Sequence, residues 1–264
     1  MSGETKKQHF VLVHGAGHGA WCWYKVATLL RSDGHRVTVL DLAASGVNQK
    51  QVQEVHSFAV YLEPLVELMA TLQEEEKVVL VGHSMGGVGL SLAMERFPEK
   101  IAVAVFATAY MLSPDLDLLT ITNEVDKKRE SFMDTQISFD KGLDRGPTSM
   151  LFGPKMLESK LYQLSRPEDL TLATMLVRPY SLNPHTDAKS LEEIRVTRER
   201  FGLVPRVFVV ADQDLLLLEE TQRWMIELNP PDDVKVIKGS DHMIMLSKPQ
   251  ELCNCLEEIS QRYS

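Results

Sequence analysis

Cysteine is scarce in this chain. Cys22, Cys253 and Cys255 are the only three among 264 residues. An odd and sparse set of thiols does not form a disulfide framework, so the sequence favours an intracellular protein over a disulfide-stabilised secreted one. No histidines stand at zinc-ligand spacing near Cys253 and Cys255, so we expect no metal site there.

Basic residues are also in deficit. Lysine and arginine number 28 against 37 acidic residues, which gives a formal net charge of −9. Non-specific binding to nucleic acid or to an anionic membrane surface requires a basic face, so neither partner is expected. No apolar run approaches the length of a membrane span, and residues 1–8 lack the apolar segment of a secretory signal. We therefore expect a soluble, cytoplasmic protein.

One stretch, residues 77–97, is predicted to form a strand, a very tight turn and a helix. Residues 77–81 are rich in Val, and Gly82-His83-Ser84-Met85-Gly86-Gly87 follows. A Ser between two glycines at a strand-to-helix turn is typical of the nucleophile elbow of an α/β-hydrolase. The Gly-x-Ser-x-Gly spacing alone is a weak signal, and the alternative is a glycine-rich turn without chemistry. The strand before it and the helix after it favour the elbow.

Strands and helices alternate along most of the chain, which predicts an α/β fold with a mostly parallel sheet flanked by helices. The apolar runs that we interpret as strands are residues 9–14, 35–40, 77–81, 101–106, 206–210 and 234–238. Ligands of such sheets bind at the carboxyl ends of the strands. Gly15-Ala16 and Ser84 both follow strands directly, so we expect them at the same edge of the sheet.

The alternation stops between residues 113 and 188, a stretch too long for a simple connection. We interpret it as a largely helical cap inserted into an α/β-hydrolase core of residues 1–112 and 189–264. Several apolar cap residues are candidates for a substrate pocket, although each could instead only hold the cap together. They are Phe132, Met150, Leu151, Phe152 and Tyr162.

A Ser hydroxyl needs a base to take its proton, and in this architecture the base is a His after the last strand. His242 follows the predicted strand 234–238 directly and is our candidate. The orienting acid should follow the preceding strand, where both Asp212 and Asp214 stand. Spacing alone does not choose between these two. Asp241 adjoins the base and cannot easily turn back onto its imidazole.

The oxyanion that forms during acyl transfer needs two backbone amides. We expect one from Met85, the residue after the nucleophile, and one from Ala16 in the first loop, where Gly15 permits close approach. His14 and His18 in that loop are expected to shape it through hydrogen bonds. The sequence has no Walker-type phosphate loop and no zinc motif, so no cofactor and no metal are predicted.

Six motifs together resemble the plant methylesterase and hydroxynitrile lyase family. They begin at His14 (HGAGHGAWCWYK), Asp41 (DLAASG), Gly82 (GHSMGG), Tyr162 (YQL), Leu176 (LVRP) and Gly239 (GSDHM). The resemblance runs from His9 to Tyr263. It implies a cytosolic serine hydrolase with a helical cap, often dimeric, whose substrates are methyl esters of small plant acids.

The resemblance also distinguishes Asp214 from Asp212 as the catalytic acid, and an esterase from a lyase. In the family the catalytic Asp stands eight residues before a Gln-Arg-Trp, which corresponds here to Asp214 before Gln222. Lyase members carry a Thr after the first-loop His and a Lys after the catalytic His, where this chain has Gly15 and Met243. Both differences favour an esterase, with Gly15 and Met243 beside the substrate. The other hypotheses are a cyanohydrin lyase and a receptor that binds a small ligand without turnover.

Overall fold

The computed structural model describes residues 7–128 and 131–263, and its centre is a six-stranded sheet. Most of the N-terminal stretch for which no secretory signal was predicted, residues 1–6, lies outside the described residues. The strands of the sheet are β1 (His9–Val13), β2 (Arg36–Leu40), β3 (Val78–Ser84), β4 (Ile101–Ala109), β8 (Arg206–Ala211) and β9 (Asp233–Ile237). Three more strands form a separate sheet: β5 (Gln136–Ser138), β6 (Ser149–Leu151) and β7 (Tyr180–Ser181).

The strand order in the large sheet is β2-β1-β3-β4-β8-β9, and every neighbouring pair is parallel. Parallel neighbours require crossover connections, which the intervening helices supply. Because all six strands point the same way, the loops that follow them gather at one edge. The predicted α/β fold with a parallel sheet is thereby confirmed.

Helices lie on both faces of this sheet and in the segment between β4 and β8. Their bounds are α1 (Tyr24–Ser32), α2 (Phe58–Thr71), α3 (Gly86–Arg96), α4 (Leu118–Lys128), α5 (Pro154–Met156), α6 (Pro167–Leu176), α7 (Asn183–Thr186), α8 (Ala188–Glu192), α9 (Glu219–Leu228), α10 (Ile244–Ser247) and α11 (Pro249–Tyr263). A π-helical turn, Leu157–Leu161, continues α5.

The two faces of the sheet build two apolar cores. Phe10 and Leu12 pack on the side of α1 and α11, whereas Val11 and Val13 pack on the side of α2 and α3. Side chains alternate between the faces of a strand, so a strand covered on both sides must be apolar at every position. This is why β1 and β3 read as unbroken apolar runs in the sequence.

The segment of residues 113–188 contains a small antiparallel sheet as well as helices. Strand β6 pairs with β5 and with β7. The sequence predicted a largely helical cap and did not indicate these strands. Each has only two or three residues, which is too short for a period of two to be recognised. The pairing also joins positions 11 to 32 residues apart in the chain.

Arg178 ties this segment to the loop that follows β2. Its guanidinium donates to three backbone oxygens, those of Gly46, Asn48 and Lys50, at 2.7–3.1 Å. Its own backbone N–H donates to the oxygen of Gly17 at 2.9 Å. One residue therefore fastens the cap segment to two loops at the carboxyl edge of the sheet, to one through its side chain and to the other through its backbone.

Among the described residues, none of the helices combines the length and the apolar character that a membrane crossing requires.

Replacing Arg178 with Lys is expected to lower the free energy of unfolding by about 2 kcal/mol, because a single ammonium cannot reach three carbonyls and hydrogen bonds to charged groups are worth about 1.5–3 kcal/mol. Urea unfolding measures the change. The control is Arg166→Lys, since the Arg166 side chain is exposed and lies 3.8 Å from Glu168, an arrangement that contributes little. Equal effects of the two substitutions would contradict the anchoring role of Arg178.

Candidate active site

Ser84 lies at the carboxyl end of β3 in a strained backbone conformation. Its φ is +51°, in the left-handed region that non-glycine residues rarely adopt. Gly86 and Gly87 make this turn sterically possible. A Cβ on Gly86 would lie 2.7 Å from the oxygen of Val13, and one on Gly87 would lie 2.1 Å from the oxygen of Tyr110. The chain here forms the strand–turn–helix arrangement expected for an elbow.

Asp214 and His242 meet at the same edge, after β8 and after β9. The Nδ1 of His242 donates to Oδ2 of Asp214 at 2.7 Å, and each residue is only 2% exposed. A carboxylate oxygen accepts, so the ring proton resides on Nδ1 and leaves Nε2 as the basic nitrogen. This tautomer is the one that a general base facing a Ser hydroxyl requires.

Both carboxylate oxygens of Asp214 are occupied by further donors. Oδ1 accepts from the backbone N–H groups of Leu216 and Leu217, each at 2.8 Å. Oδ2, besides His242, accepts from the hydroxyl of Thr108 at 2.6 Å. The apolar run after Asp214 thus binds the carboxylate through backbone N–H groups. This contact does not depend on which side chains the run carries.

The two other candidate acids face different partners. Asp212 accepts from the backbone N–H of Gly239 at 2.7 Å. Asp241 accepts from the N–H of Leu164 and from the hydroxyl of Ser165. Their roles in the structure are therefore to hold loops, whereas Asp214 is the acid in contact with His242.

Thr108 is a site residue that the sequence did not indicate. His83 pairs with Ala107 and Ser84 with Ala109, so Thr108 is the extra residue of a bulge in β4. Its φ is +39°, which is unusual for a β-branched residue. The bulge turns the hydroxyl towards Asp214. The only signal in the sequence is a polar residue near the end of the apolar run of β4.

The first loop packs closely against Ser84. A Cβ on Gly15 would lie 2.8 Å from the Cβ of Ser84, so a larger residue could not occupy this place unless the loop moved. Ala16 and Met85, the predicted oxyanion donors, are both buried. They flank Ser84 from the first loop and from the start of α3.

The side chain of His83 binds the backbone of His242, the candidate general base. Burial holds the pKa of His83 well below its ordinary value, so the ring is neutral. Its Nε2 donates to the backbone oxygen of His242 at 2.7 Å, and the two rings are 4.6 Å apart. The side chain next to the nucleophile therefore fixes the loop that carries His242.

A cavity of about 390 Å³ lies between Met85 and the cap segment. Two predicted pocket residues, Phe132 and Met150, line it. Tyr180 and His185 also line it and were not predicted. The hydroxyl of Tyr180 and Nε2 of His185 share a hydrogen bond of 2.7 Å, and burial lowers the pKa of His185 to about 4. The cavity is thus bordered by apolar side chains, by the Tyr180–His185 pair and by the polar residues Thr122, Thr186 and Asp126.

The other predicted pocket residues lie elsewhere. Leu151 is half-buried in β6 opposite Gln136, and Phe152 packs against Gly17 in the first loop. Tyr162 is buried and contacts His18. Met243 is fully buried in the core on the α1 and α11 side of the sheet. These four residues do not line the cavity beside Met85.

Within residues 7–128 and 131–263, the side chains spaced like metal ligands are Asp33, Cys253 and Glu257, whose ligand atoms lie within 4.8 Å of one another. This cluster joins the end of α1 to α11 at the amino edge of the sheet. It is on the opposite edge from Ser84.

The family model described as the alpha/beta hydrolase family matches residues 10–254. The chain belongs to the alpha/beta hydrolase family. This alpha/beta hydrolase is 56% identical to methyl jasmonate esterase 1 of Vitis vinifera, over 99% of this chain and 100% of that protein. It is 46% identical to salicylic acid-binding protein 2 of Nicotiana tabacum, over 97% and 98% of the two chains.

Solved structures of similar proteins agree with the hydrolase fold. Methylketone synthase I of tomato, with 2-tridecanone bound, is 48% identical and superposes with a TM-score of 0.93 over 98% of this chain and 100% of that one. Polyneuridine aldehyde esterase is 43% identical, with a TM-score of 0.89 over 97% and 100%. The resemblance to plant methylesterases seen in the sequence is confirmed.

Replacing Asp214 with Asn should reduce kcat by about 10³–10⁴-fold, because the amide no longer holds His242 in the tautomer that accepts a proton. The matched control is Asp212→Asn, which removes a charge from the same loop but not from His242. It should leave kcat within about threefold, because the Asp212 carboxylate bonds to the backbone N–H of Gly239, which an Asn oxygen can still accept from, and not to His242. Steady-state kinetics on an aryl acetate decide the matter, and a larger loss for Asp212→Asn would overturn the assignment.

Proposed function

We propose that this protein is a serine carboxylesterase that hydrolyses methyl esters of small plant acids through an acyl-enzyme. The observation that carries the proposal is the hydrogen bond between His242 and Asp214 at the same sheet edge as Ser84. Relatives named methyl jasmonate esterase and methylesterase, at 56% and 47% identity, support the reaction class.

In the acylation step, Nε2 of His242 takes the proton of the Ser84 hydroxyl while the oxygen attacks the ester carbonyl. The negative charge that develops on the carbonyl oxygen is stabilised by the amides of Ala16 and Met85. Asp214 stabilises the imidazolium that forms. The C–O bond to the methoxy group then breaks, and His242 returns its proton to the departing methanol.

Deacylation repeats these events with water as the nucleophile. His242 removes a proton from water, the oxygen attacks the acyl carbon, and Ser84 leaves with the proton from the imidazolium. The products are the free acid and methanol. Every proton transfer in these steps is carried out by Ser84, His242 and water.

The cavity beside Met85 supports a small acid with an apolar body as the acyl group. Phe132 and Met150 offer apolar surface, and the neutral Tyr180–His185 pair adds polar atoms without a formal charge. A methyl ester is uncharged, so it enters such a cavity at a lower desolvation cost than the corresponding carboxylate does. Methyl jasmonate, named in a relative, belongs to this class.

The experiment that tests the proposal also tests two other hypotheses, a cyanohydrin lyase and a receptor without turnover. A cyanohydrin lyase is disfavoured because Gly15 provides no hydroxyl and Met243 provides no positive charge for departing cyanide. A receptor without turnover is suggested by a relative named salicylic acid-binding protein 2, whereas the contact between His242 and Asp214 favours turnover. A cytoplasmic location, a homodimer, and the absence of nucleic-acid and membrane partners stay predictions.

The deciding experiment is a panel of substrates for the purified protein: methyl jasmonate, methyl salicylate, aryl acetates, mandelonitrile and β-ketoheptanoate. We expect hydrolysis of esters, followed by acid and methanol release, and cyanide release from mandelonitrile no faster than the uncatalysed rate. Ser84→Ala should lower ester turnover by several orders of magnitude, about 10⁵-fold or more, because the covalent step needs that oxygen.

Circular dichroism of Ser84→Ala provides the control for folding. Ser84-dependent cyanide release without ester turnover would move the protein to the lyases. Decarboxylation of β-ketoheptanoate, the ligand of a methylketone synthase structure, without ester turnover would also refute the proposal. Tight ligand binding with no turnover would favour the receptor hypothesis.

A further inference from the structure

The peptide unit between Gly15 and Ala16 carries the N–H that the proposed mechanism needs. A trans peptide is planar, and its C=O and N–H point in opposite directions. The oxygen of Gly15 and the N–H of Ala16 belong to the same unit. Whatever group holds the oxygen of Gly15 therefore fixes the direction of the Ala16 N–H.

The oxygen of Gly15 accepts from the backbone N–H of His18 at 3.4 Å, and its shorter contact is with His14. The Nδ1 of His14 donates to the oxygen of Gly15 at 2.7 Å, and its Nε2 accepts from the backbone N–H of Leu42 at 3.1 Å. A carbonyl can only accept and an amide N–H can only donate, so the pair of contacts fixes the tautomer. The side chain is fully buried, and water cannot replace these partners.

His18 repeats the arrangement one residue further along. Its Nδ1 donates to the oxygen of Ala16 at 2.9 Å, and its Nε2 accepts from the hydroxyl of Tyr162 at 2.8 Å. The ring also stacks on Trp21. Both carbonyl groups that flank the Ala16 N–H in the chain are thus held by a histidine, and the second histidine is held by the cap segment.

Neutral rings are a condition of this arrangement, because each histidine must donate at Nδ1 and accept at Nε2. Burial lowers the pKa of His14, and it lowers the pKa of His18 to about 3. A second proton on His14 would face the N–H of Leu42 and break that contact. Both rings therefore keep the required tautomer throughout the neutral pH range.

We propose that His14 is a positioning residue that aims the Ala16 N–H at the oxyanion, with His18 and Tyr162 extending this support to the cap. The inference rests on the proposed esterase function. Because the amide acts on the charged oxygen of the transition state more than on the ester carbonyl, a misaligned Ala16 N–H should reduce kcat and spare KM. Donation to the Gly15 oxygen also polarises the amide and strengthens its N–H as a donor.

The test compares His14→Leu with His14→Asn. Leu removes the side-chain donor to Gly15 and leaves only the longer contact from the backbone N–H of His18, whereas the side-chain amide nitrogen of Asn lies near the place of Nδ1 and can still donate. Loss of a whole oxyanion donor costs about 10²–10³-fold in kcat, so we expect a loss of about 30-fold or more for His14→Leu with KM within threefold. His14→Asn should recover about tenfold of that loss, since it keeps the donor.

A second measurement distinguishes a misdirected Ala16 N–H from a general loss of folding stability. A trifluoromethyl ketone that forms a charged tetrahedral adduct with Ser84 should lose affinity in His14→Leu in proportion to kcat/KM, while the product acid binds as before. The matched control is His9→Leu, another buried histidine, bonded to Glu76 and Thr38 at the amino edge of the sheet. It should lower the thermal midpoint but leave kcat unchanged.

The proposal is overturned if His14→Leu keeps its kcat, if adduct and product affinity fall together, or if Asn is no better than Leu. Parallel assays of Ser84→Ala distinguish failure of the proposed role of His14 from failure of the proposed esterase function. Ester turnover that survives Ser84→Ala refutes the proposed function itself. Loss of turnover in Ser84→Ala together with an unaffected His14→Leu refutes only the role of His14.

Discussion

The hydrogen bond between His242 and Asp214 is the contact around which the active edge of the sheet is organised. It joins the loops after β8 and β9, and both partners are buried. An unpaired carboxylate would be costly there, so the site surrounds Asp214 with donors from Thr108, Leu216 and Leu217. The positive φ of Thr108 is a local strain that this arrangement requires, and the surrounding β4–β8 pairing maintains it.

Neutral histidines perform the remaining positioning. His83 donates to the backbone of His242, and His14 and His18 donate to the carbonyls around Ala16. Imidazole suits the places of His14 and His18 because it can donate with one nitrogen and accept with the other while buried, whereas His83 uses only its Nε2. The result is a site whose backbone dipoles are fixed before substrate arrives, which is the condition for electrostatic stabilisation of a transition state. The hydroxyl of Tyr162 and the backbone N–H of Arg178, both in the cap segment, connect it to this preorganised loop.

Features that depend on residues close together in the chain could be predicted from the sequence, whereas features that depend on distant residues could not. The apolar strands, Ser84 and His242 follow from local pattern and position along the chain. Asp212 and Asp214 were not separable by pattern, because the direction of each carboxylate is decided by the turn between them and by Gly239, which is 25 to 27 residues away. Thr108 was missed because a bulge is a property of strand pairing, and strand β6 was missed because it is three residues long.

The most direct test of the central claim is stoichiometric labelling with a fluorophosphonate, read out by peptide mass spectrometry alongside residual esterase activity. The account predicts one adduct per chain, located on Ser84, and a loss of activity in proportion to the labelled fraction, because only a hydroxyl activated by His242 reacts at a useful rate. A label on another residue, or a fully labelled Ser84 in a protein that still hydrolyses esters, would contradict it.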